Sequence, residues 1–181
     1  LGLIRSTDAA ETWQSVSLGG EVDFHALHAA HGRIYGWDAG SGRLMVSADQ
    51  GRTWETRSTL GLRDFAVSPR NAEELLATTE RGLVRSTDGG RTWSAVPGAP
   101  VLAVLSWPRA DALYGVAPND TVRHSADGAA SWTQRGSAGG APEALAVDDR
   151  GGTQTLYVAV RDRGVLASRD GGTSFTTRYA E

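Results

Sequence analysis

Short runs of alternating apolar and polar residues follow one another along the whole chain. Typical runs are Asp64-Phe-Ala-Val, Glu74-Leu-Leu-Ala-Thr and Gly82-Leu-Val-Arg, and Gly, Pro, Asn or Asp residues separate them. Runs of this kind predict β-strands. No stretch has the spacing of an amphipathic helix, and residues 71–75 are at most a turn. The pattern therefore predicts an all-β protein.

One loop sequence, Ser-x-Asp-x-Gly-x-Thr-Trp, recurs five times between predicted strands with small changes: Ala10 and Ala129 replace the Gly, Ser131 and Ser174 the Thr, and Phe175 the Trp. Its leading serines lie 41, 39, 39 and 43 residues apart. A period near forty indicates one supersecondary unit copied along the chain. The residues that carry the pattern are Ser6, Asp8, Trp13, Ser47, Asp49, Gly51, Trp54, Ser86, Asp88, Gly90, Trp93, Ser125, Asp127, Trp132, Ser168, Asp170, Gly172 and Phe175.

The residue types of this repeat predict a structural role. Ser and Asp side chains hydrogen-bond nearby backbone groups and close tight loops. Glycine adopts positive φ at little cost, and a β-branched residue followed by Trp favours a new strand with a large apolar side chain. A catalytic acid is not needed five times, and a calcium loop needs several oxygen ligands where each copy offers one carboxylate. We therefore interpret the five aspartates as loop-closing residues.

The repeat resembles the Asp-box, or bacterial neuraminidase repeat, and the resemblance covers nearly the whole chain. It implies a β-propeller of four-stranded antiparallel blades, with the loop between the third and fourth strands. The run from Leu1 to Leu27 is most similar to bacterial proteins described as sialidase-like or glycosyl hydrolases. The chain then forms one partial propeller of about four and a half blades, at 1–18 (a half blade), 19–58, 59–97, 98–136 and 137–181.

The resemblance also implies a larger ring. We expect six blades, with seven as the alternative, because four and a half blades are marginal for closure. The chain starts in the middle of a blade, so we expect it to be the C-terminal part of a longer protein. Upstream blades or another chain would complete the ring.

Composition excludes several classes of function. The net charge of −3 argues against a nucleic-acid partner. There is no Cys, so neither a disulfide nor a thiolate site is available. No apolar run is long enough to span a membrane. All eighteen basic residues are Arg, a bias typical of GC-rich bacterial genomes. We expect a bacterial protein located outside the cytoplasm, secreted or periplasmic.

The best candidates for chemistry lie where one repeat departs from the others. Asp23 and His25 fall two residues apart on a predicted first strand, the strand that lines the channel of a propeller, and His28 follows. Aligned on the repeat, His25 falls opposite Phe65. Imidazole and carboxylate groups predict a metal or anion site. The alternative is a hydrogen-bonded pair beside loop histidines.

Two tryptophans, Trp37 and Trp107, lie outside the repeated loops. Each is a candidate to stack on a sugar ring, and packing at the edge of a blade is the alternative. Together with Asp23, His25 and His28 they make up the predicted ligand-binding residues. The only cofactor that the sequence suggests is a metal ion at Asp23 and His25.

The sequence favours a binding platform without catalysis, whose partner on the channel face is a glycan, a small ligand or a protein. The alternative is a glycoside hydrolase of sialidase-like type with part of its site in upstream blades. Such an enzyme needs three arginines around a carboxylate and a Tyr activated by a Glu. No such set departs from the repeat, so the catalytic residues are unknown.

Overall fold

The computed structural model describes residues 2–150 and 153–180, and these ranges contain eighteen β-strands and no α-helix. The predicted all-β fold is confirmed. The strands form one two-stranded sheet and four four-stranded sheets, all antiparallel. In the described ranges there is no helix that is long and apolar enough to cross a membrane.

The four larger sheets are the blades of a propeller, and each is a meander of four strands that follow one another in the chain. Blade 1 contains β3 (Phe24–Ala30), β4 (Arg33–Asp38), β5 (Arg43–Ser47) and β6 (Glu55–Thr59). Blade 2 contains β7 (Asp64–Val67), β8 (Leu75–Thr79), β9 (Gly82–Ser86) and β10 (Ser94–Ala95). Blade 3 contains β11 (Val104–Arg109), β12 (Ala112–Val116), β13 (Thr121–Ser125) and β14 (Thr133–Ser137). Blade 4 contains β15 (Pro142–Asp148), β16 (Thr155–Val160), β17 (Gly164–Ser168) and β18 (Thr176–Tyr179).

The two-stranded sheet, here called the outer hairpin, precedes blade 1 and consists of β1 (Leu3–Arg5) and β2 (Gln14–Ser17). It corresponds to the third and fourth strands of a blade, because the first repeated loop joins its strands. The first strands of the blades pack in chain order, β3 on β7, β7 on β11 and β11 on β15. This succession places the first strands innermost, around the channel.

Each repeated loop is closed by its own serine and aspartate, and we call these the Ser–Asp loops. In blade 2 the Ser86 hydroxyl donates to Asp88 Oδ1 at 2.8 Å and accepts the backbone N–H of Gly90 at 2.8 Å. The Asp88 carboxylate accepts the backbone N–H of Thr92 at 2.9 Å and its hydroxyl at 2.6 Å. Equivalent bonds occur in the other four loops. The carboxylates are therefore occupied within the loops.

The core lies between consecutive blades, at interfaces that we call seams. The first seam joins blades 1 and 2 around Tyr35 and Phe65, which are fully buried. The second joins blades 2 and 3 around Leu76 and Leu105, and the third joins blades 3 and 4 around Tyr114. Each seam excludes water from both facing sheets, so the apolar stabilisation of the fold is distributed over several similar clusters.

The loop tryptophan hydrogen-bonds to the blade that precedes its own. Trp54 Nε1 donates to the Ser17 hydroxyl at 3.0 Å, and Trp93 Nε1 donates to the Ser58 hydroxyl at 3.1 Å. Each serine in turn donates to a carbonyl of the next Ser–Asp loop, at 2.5 Å for Ser17 and 2.6 Å for Ser58. Because both serines lie four residues after a loop tryptophan, the contact repeats with the blades.

At the second and third seams this tryptophan–serine hydrogen bond is absent, and other residues occupy the two positions. At the second seam the corresponding residue is Pro97, and the buried Trp132 Nε1 has no partner in the described part of the chain. At the third seam Gly136 stands at the serine position and Phe175 at the tryptophan position. The phenyl ring of Phe175 has no N–H that would need an acceptor. A side chain at Gly136 would overlap the Thr173 carbonyl, so the closeness of the blades requires glycine there.

The apolar runs Val101-Leu-Ala-Val-Leu and Trp93-Ser-Ala-Val predict strand bounds in blades 3 and 2 that the structure moves. The predicted first strand of blade 3 begins at Val101, whereas β11 begins at Val104 and continues through Trp107. The predicted fourth strand of blade 2 ends with Val96, whereas β10 ends at Ala95. There the chain leaves the sheet in a turn, because Pro97 fixes φ and Gly98 adopts a φ of 72°.

Candidate functional site

Three of the predicted site residues lie together where β3 begins and β4 ends, on the end of blade 1 opposite its Ser–Asp loop. His25 Nε2 lies 3.1 Å from Asp23 Oδ2, and the His25 ring packs edge-on against Trp37, with 6.3 Å between ring centroids. The side chains of His25 and Asp23 are 59% and 71% exposed. They form a solvated surface pair beside an indole, and we call the three residues the channel-face site.

The register of β3 corrects the repeat alignment. Ile34 and Leu75 both pair with a loop serine, and counting from them places Leu27 opposite Phe65. The predicted match of His25 with Phe65 is therefore wrong. A register shift between Phe24 and Ala26 places His25 at an irregularity, where its side chain leaves the regular alternation of the strand.

His28 does not join the channel-face site. It lies at the first seam, where its ring packs edge-on against Phe65 with 4.7 Å between centroids and its Nε2 is 4.0 Å from Asp64 Oδ1. His31, at the far end of β3, places Nε2 2.8 Å from the Ser68 carbonyl. The sequence cluster of three histidines thus divides into three separate environments.

The channel-face site offers few ligands to a metal ion. Asp23 and His25 supply one carboxylate oxygen and one imidazole nitrogen, whereas zinc sites use three or four protein ligands. In residues 2–150 and 153–180 no group of three His, Asp or Glu side chains is arranged to hold a metal. The hydrogen-bonded pair, the alternative interpretation, describes the observed geometry.

The two candidate tryptophans have different surroundings. Trp37 is half-buried, and its Nε1 donates to the Leu60 carbonyl at 2.9 Å across the first seam. Trp107 lies inside β11 in the core of the second seam, and only 8% of it is exposed. Its ring faces are covered, so of the two tryptophans only Trp37 has surface available to stack on a sugar ring.

Asp38 positions the channel-face site, and sequence reasoning missed it. Its buried carboxylate accepts the Asp23 backbone N–H at 2.9 Å and also accepts hydrogen bonds from Ser41, in the turn after β4, and from Arg43, the first residue of β5. These contacts, the Asp23 N–H first, lower the pKa of Asp38 to about 2, so it stays ionised. The Asp-Ala-Gly-Ser-Gly sequence from Asp38 is a turn signal that could have revealed it.

A second acid near the start of an inner strand, Asp64, accepts backbone N–H groups with both of its carboxylate oxygens. Its Oδ1 accepts the Phe65 N–H and its Oδ2 accepts the Leu105 N–H, both at 2.9 Å. The second bond crosses from blade 2 to blade 3. Nearby, the Arg63 guanidinium donates to the Pro142 carbonyl at 2.6 Å and connects blade 2 to blade 4. These contacts hold the inner strands together at the channel.

Tyr35 and Tyr114, which occupy matching positions in the second strands of blades 1 and 3, are poor nucleophiles. Tyr35 and Tyr114 are buried, and burial raises the pKa of each phenol above its usual value. A tyrosine that attacks a sugar must be exposed and must ionise readily. Tyr35 donates to the Ala72 carbonyl, and Tyr114 donates to Gln154 Oε1. Both hydroxyls therefore connect neighbouring blades.

The blades and their inner channel define the class as a β-propeller. No protein-family model matches the chain. Two curated proteins with similar sequences are both xyloglucanases. The protein from Hypocrea jecorina (strain QM6a) is 34% identical over 144 residues, which cover 71% of this chain and 17% of that protein. The protein from a Paenibacillus species is 31% identical over 156 residues, covering 77% of this chain and 13% of that protein.

The chain thus spans less than a fifth of either relative. Among solved structures, the GH74 enzyme of Niastella koreensis superposes with a TM-score of 0.66 at 18% identity, over 97% of this chain and 33% of that one. A chain of a nidogen–laminin complex superposes with a TM-score of 0.76 at 13% identity, over 97% and 70%. At such identities the likeness shows the propeller fold alone, because one fold carries many functions.

Proposed function

We propose that this chain is a polysaccharide-binding part of a glycoside-hydrolase-type β-propeller. The observation that carries the proposal is its similarity to two xyloglucanases, each more than 30% identical over most of the chain. We also propose that the Ser–Asp loops are Asp-boxes of the bacterial neuraminidase repeat type, because all five have the same hydrogen-bonded closure. Their role is to close the blades, and binding belongs to other residues.

The channel-face site is the proposed contact with the glycan. His25 and Asp23 are exposed and carry donor and acceptor groups that suit sugar hydroxyls. Trp37 lies beside them and supplies an apolar surface of the kind that packs against a sugar ring. Asp38 holds the Asp23 backbone in place, so the site is preorganised for binding.

The chemistry favours binding over hydrolysis at this site. Glycoside hydrolysis requires two carboxyl groups on either side of the scissile bond. The channel-face site supplies one, Asp23, since Asp38 is buried in its turn and Asp64 accepts two backbone N–H groups. The proposal therefore assigns bond cleavage, in a longer protein, to other residues. It also places the protein outside the cytoplasm, where such polysaccharides occur.

The test is retardation of the protein in native gels that contain xyloglucan, with a gel without polysaccharide as reference. We expect retardation, and we expect His25→Ala and Trp37→Ala each to weaken the apparent affinity about tenfold, the loss of one good polar or packing contact. His31→Ala is the matched control, because His31 is exposed at the opposite end of β3. It should bind like the parent protein.

A parallel assay measures reducing ends released from xyloglucan and turnover of fluorogenic glycosides, sialosides included. The proposal predicts no turnover by this chain. Turnover that Asp23→Asn abolishes would make the channel-face site catalytic and would contradict the proposal. Equal loss of retardation in His31→Ala and His25→Ala would remove the assignment of binding to this face.

A further inference from the structure

The second seam contains a largely apolar pocket at the end of the propeller opposite the Ser–Asp loops, and we call it the second-seam pocket. Its volume is about 300 Å³. The end of β8 and the turn after it form one wall, and the segment that leads into β11 forms the facing wall. The lining includes Arg63, Thr78, Glu80, Val101, Leu102 and Ala103.

The register of the strands shows what fills the same place at the first seam. Ile34 and Leu75 each pair with the serine that begins a Ser–Asp loop. Counting three residues on from each places Thr78 at the position of Trp37. The half-buried Trp37 indole packs in the first seam, and its Nε1 donates to the carbonyl of the following blade's lead-in segment at 2.9 Å. A threonine is much smaller than an indole, so the corresponding space at the second seam is left open.

The facing wall keeps the residue type that meets the indole at the first seam. Arg63 and Ala103 occupy matching positions, because their backbone N–H groups donate to matching carbonyls of the second strands of their own blades. The residues before them, Leu62 and Leu102, therefore match as well. Leu62 belongs to the apolar cluster that contains Trp37, and Leu102 belongs to the cluster of the second seam. The second-seam pocket thus has the wall of an indole site without the indole.

The polar groups of the second-seam pocket favour a neutral ligand. One guanidinium, Arg63, and one carboxylate, Glu80, line it, so the lining has no net charge. The Thr78 hydroxyl is already occupied, since it accepts the Asp64 N–H at 3.0 Å and bonds the Ala103 carbonyl at 3.2 Å. Pockets of this kind bind ligands mainly through apolar contact. An exposed guanidinium beside an apolar wall also favours an aromatic ring, whose face attracts cations.

We propose that the second-seam pocket binds a neutral aromatic molecule of about the size of an indole. The ring takes the place that the Trp37 side chain occupies at the first seam and packs against Val101 and Leu102, with the Arg63 guanidinium beside it. An apolar cavity left by a missing side chain takes up small aromatic molecules, because their burial removes apolar surface from water. The site shares no residue with the channel-face site and does not rest on the proposed function.

The probe is indole, titrated into the 181-residue chain and followed by saturation-transfer NMR and by isothermal titration calorimetry. For a ligand of this size we expect a Kd on the order of 1 mM. Phenol and cyclohexanol form a matched pair of single rings. Phenol should bind about three- to fivefold more tightly than cyclohexanol, because only phenol offers an aromatic face to the guanidinium.

Val101→Asp tests the wall of the pocket. Val101 is 54% exposed, so the variant should keep its thermal midpoint. It should weaken indole binding at least about tenfold, because a carboxylate would lose water when the ligand binds. Ile4→Asp is the matched control, since Ile4 is an aliphatic residue of the outer hairpin that is 42% exposed and does not line the pocket. It should bind indole like the parent protein.

Thr78→Trp tests the space itself. It places an indole where blade 1 has Trp37, so it should abolish binding of free indole while circular dichroism shows the fold intact. No binding of indole at ten times the expected Kd, or equal binding of phenol and cyclohexanol, would overturn the proposal. So would equal losses in Val101→Asp and Ile4→Asp, or indole binding retained by a folded Thr78→Trp variant.

Discussion

At the scale of single residues, the Ser–Asp loops use a charged group as a structural one. The two carboxylate oxygens of each aspartate accept hydrogen bonds from the loop itself, so the aspartate has a structural role. These bonds lower the pKa of Asp8, Asp49 and Asp127 to about 2, with bonds from the Thr or Ser four residues later as the largest cause. The pKa values of Asp88 and Asp170 are lowered by the same contacts.

This arrangement predicts the acid response of the fold. A lowered pKa in the folded state means that unfolded chains bind more protons, so the stabilisation is complete above the unfolded pKa of 3.8 and is lost as pH falls towards the folded value. We expect the urea midpoint to fall steeply between about pH 4 and pH 2. Asp88→Asn should lower the urea midpoint at pH 7 and make the midpoint depend less steeply on pH below about pH 4. An unchanged dependence of the midpoint on pH would contradict this prediction.

At the scale of strands and loops, the contact that distinguishes the seams is the hydrogen bond from a loop tryptophan to a serine of the preceding blade. It is present for Trp54 and Trp93 and missing for Trp132. The reason lies in the turn at Pro97, which takes the chain out of the sheet before a serine could be placed. The second seam is therefore less completely hydrogen-bonded than the first.

Replacing each tryptophan by phenylalanine separates the hydrogen bond from the packing. Both replacements lose similar apolar area, but Trp93→Phe also removes the bond to Ser58, whereas Trp132→Phe removes a buried N–H without a partner. We expect Trp93→Phe to cost about 1–2 kcal/mol more in free energy of unfolding than Trp132→Phe. Urea unfolding of the two variants measures the difference, and a larger loss for Trp132→Phe would contradict the assignment.

The sequence predicted those parts of the fold that depend on local chemistry. Ser, Asp, Gly and Trp at fixed spacing predict a closed loop between two strands, and the resemblance of this loop to the Asp-box implied the four-stranded blade around it. The irregularity at His25 and the match of Leu27 with Phe65 depend on strand register, which no local signal carries. The pocket beside Thr78 depends on which residues of two different blades meet. Of the channel-face site, the sequence predicted Asp23, His25 and Trp37 and missed Asp38, whose role is visible only through its bond to Asp23.

At the scale of the whole molecule, the described chain has one exposed face that resembles the interior of a seam. Leu27 is 46% exposed, although Phe65 and Leu105 at the same position are buried. Trp13 is 56% exposed, while Trp54 and Trp93 are half-buried against a preceding blade. Preceding strands, from upstream or from another chain, are the proposed cover of this face.

A tryptophan at a seam and a tryptophan on the exposed face should lose different amounts of folding stability when each is replaced by alanine. Trp93→Ala should reduce the free energy of unfolding by about 3–5 kcal/mol, because it opens a cavity at the first seam. Trp13→Ala should cost less than about 1 kcal/mol, as for an exposed side chain. Urea midpoints compared at a common slope give both values. Equal losses would mean that Trp13 is covered in solution.

The direction of the tryptophan–serine bond also bears on how such a chain could lengthen. A unit like blade 1 presents an indole N–H towards its predecessor and a serine hydroxyl towards its successor. A duplicated copy inserted at the first seam would therefore meet both neighbours with matching groups and would need no compensating change. At the second seam neither Pro97 nor Trp132 offers that match. Gene duplication could thus extend this propeller from one side of blade 2 far more readily than from the other.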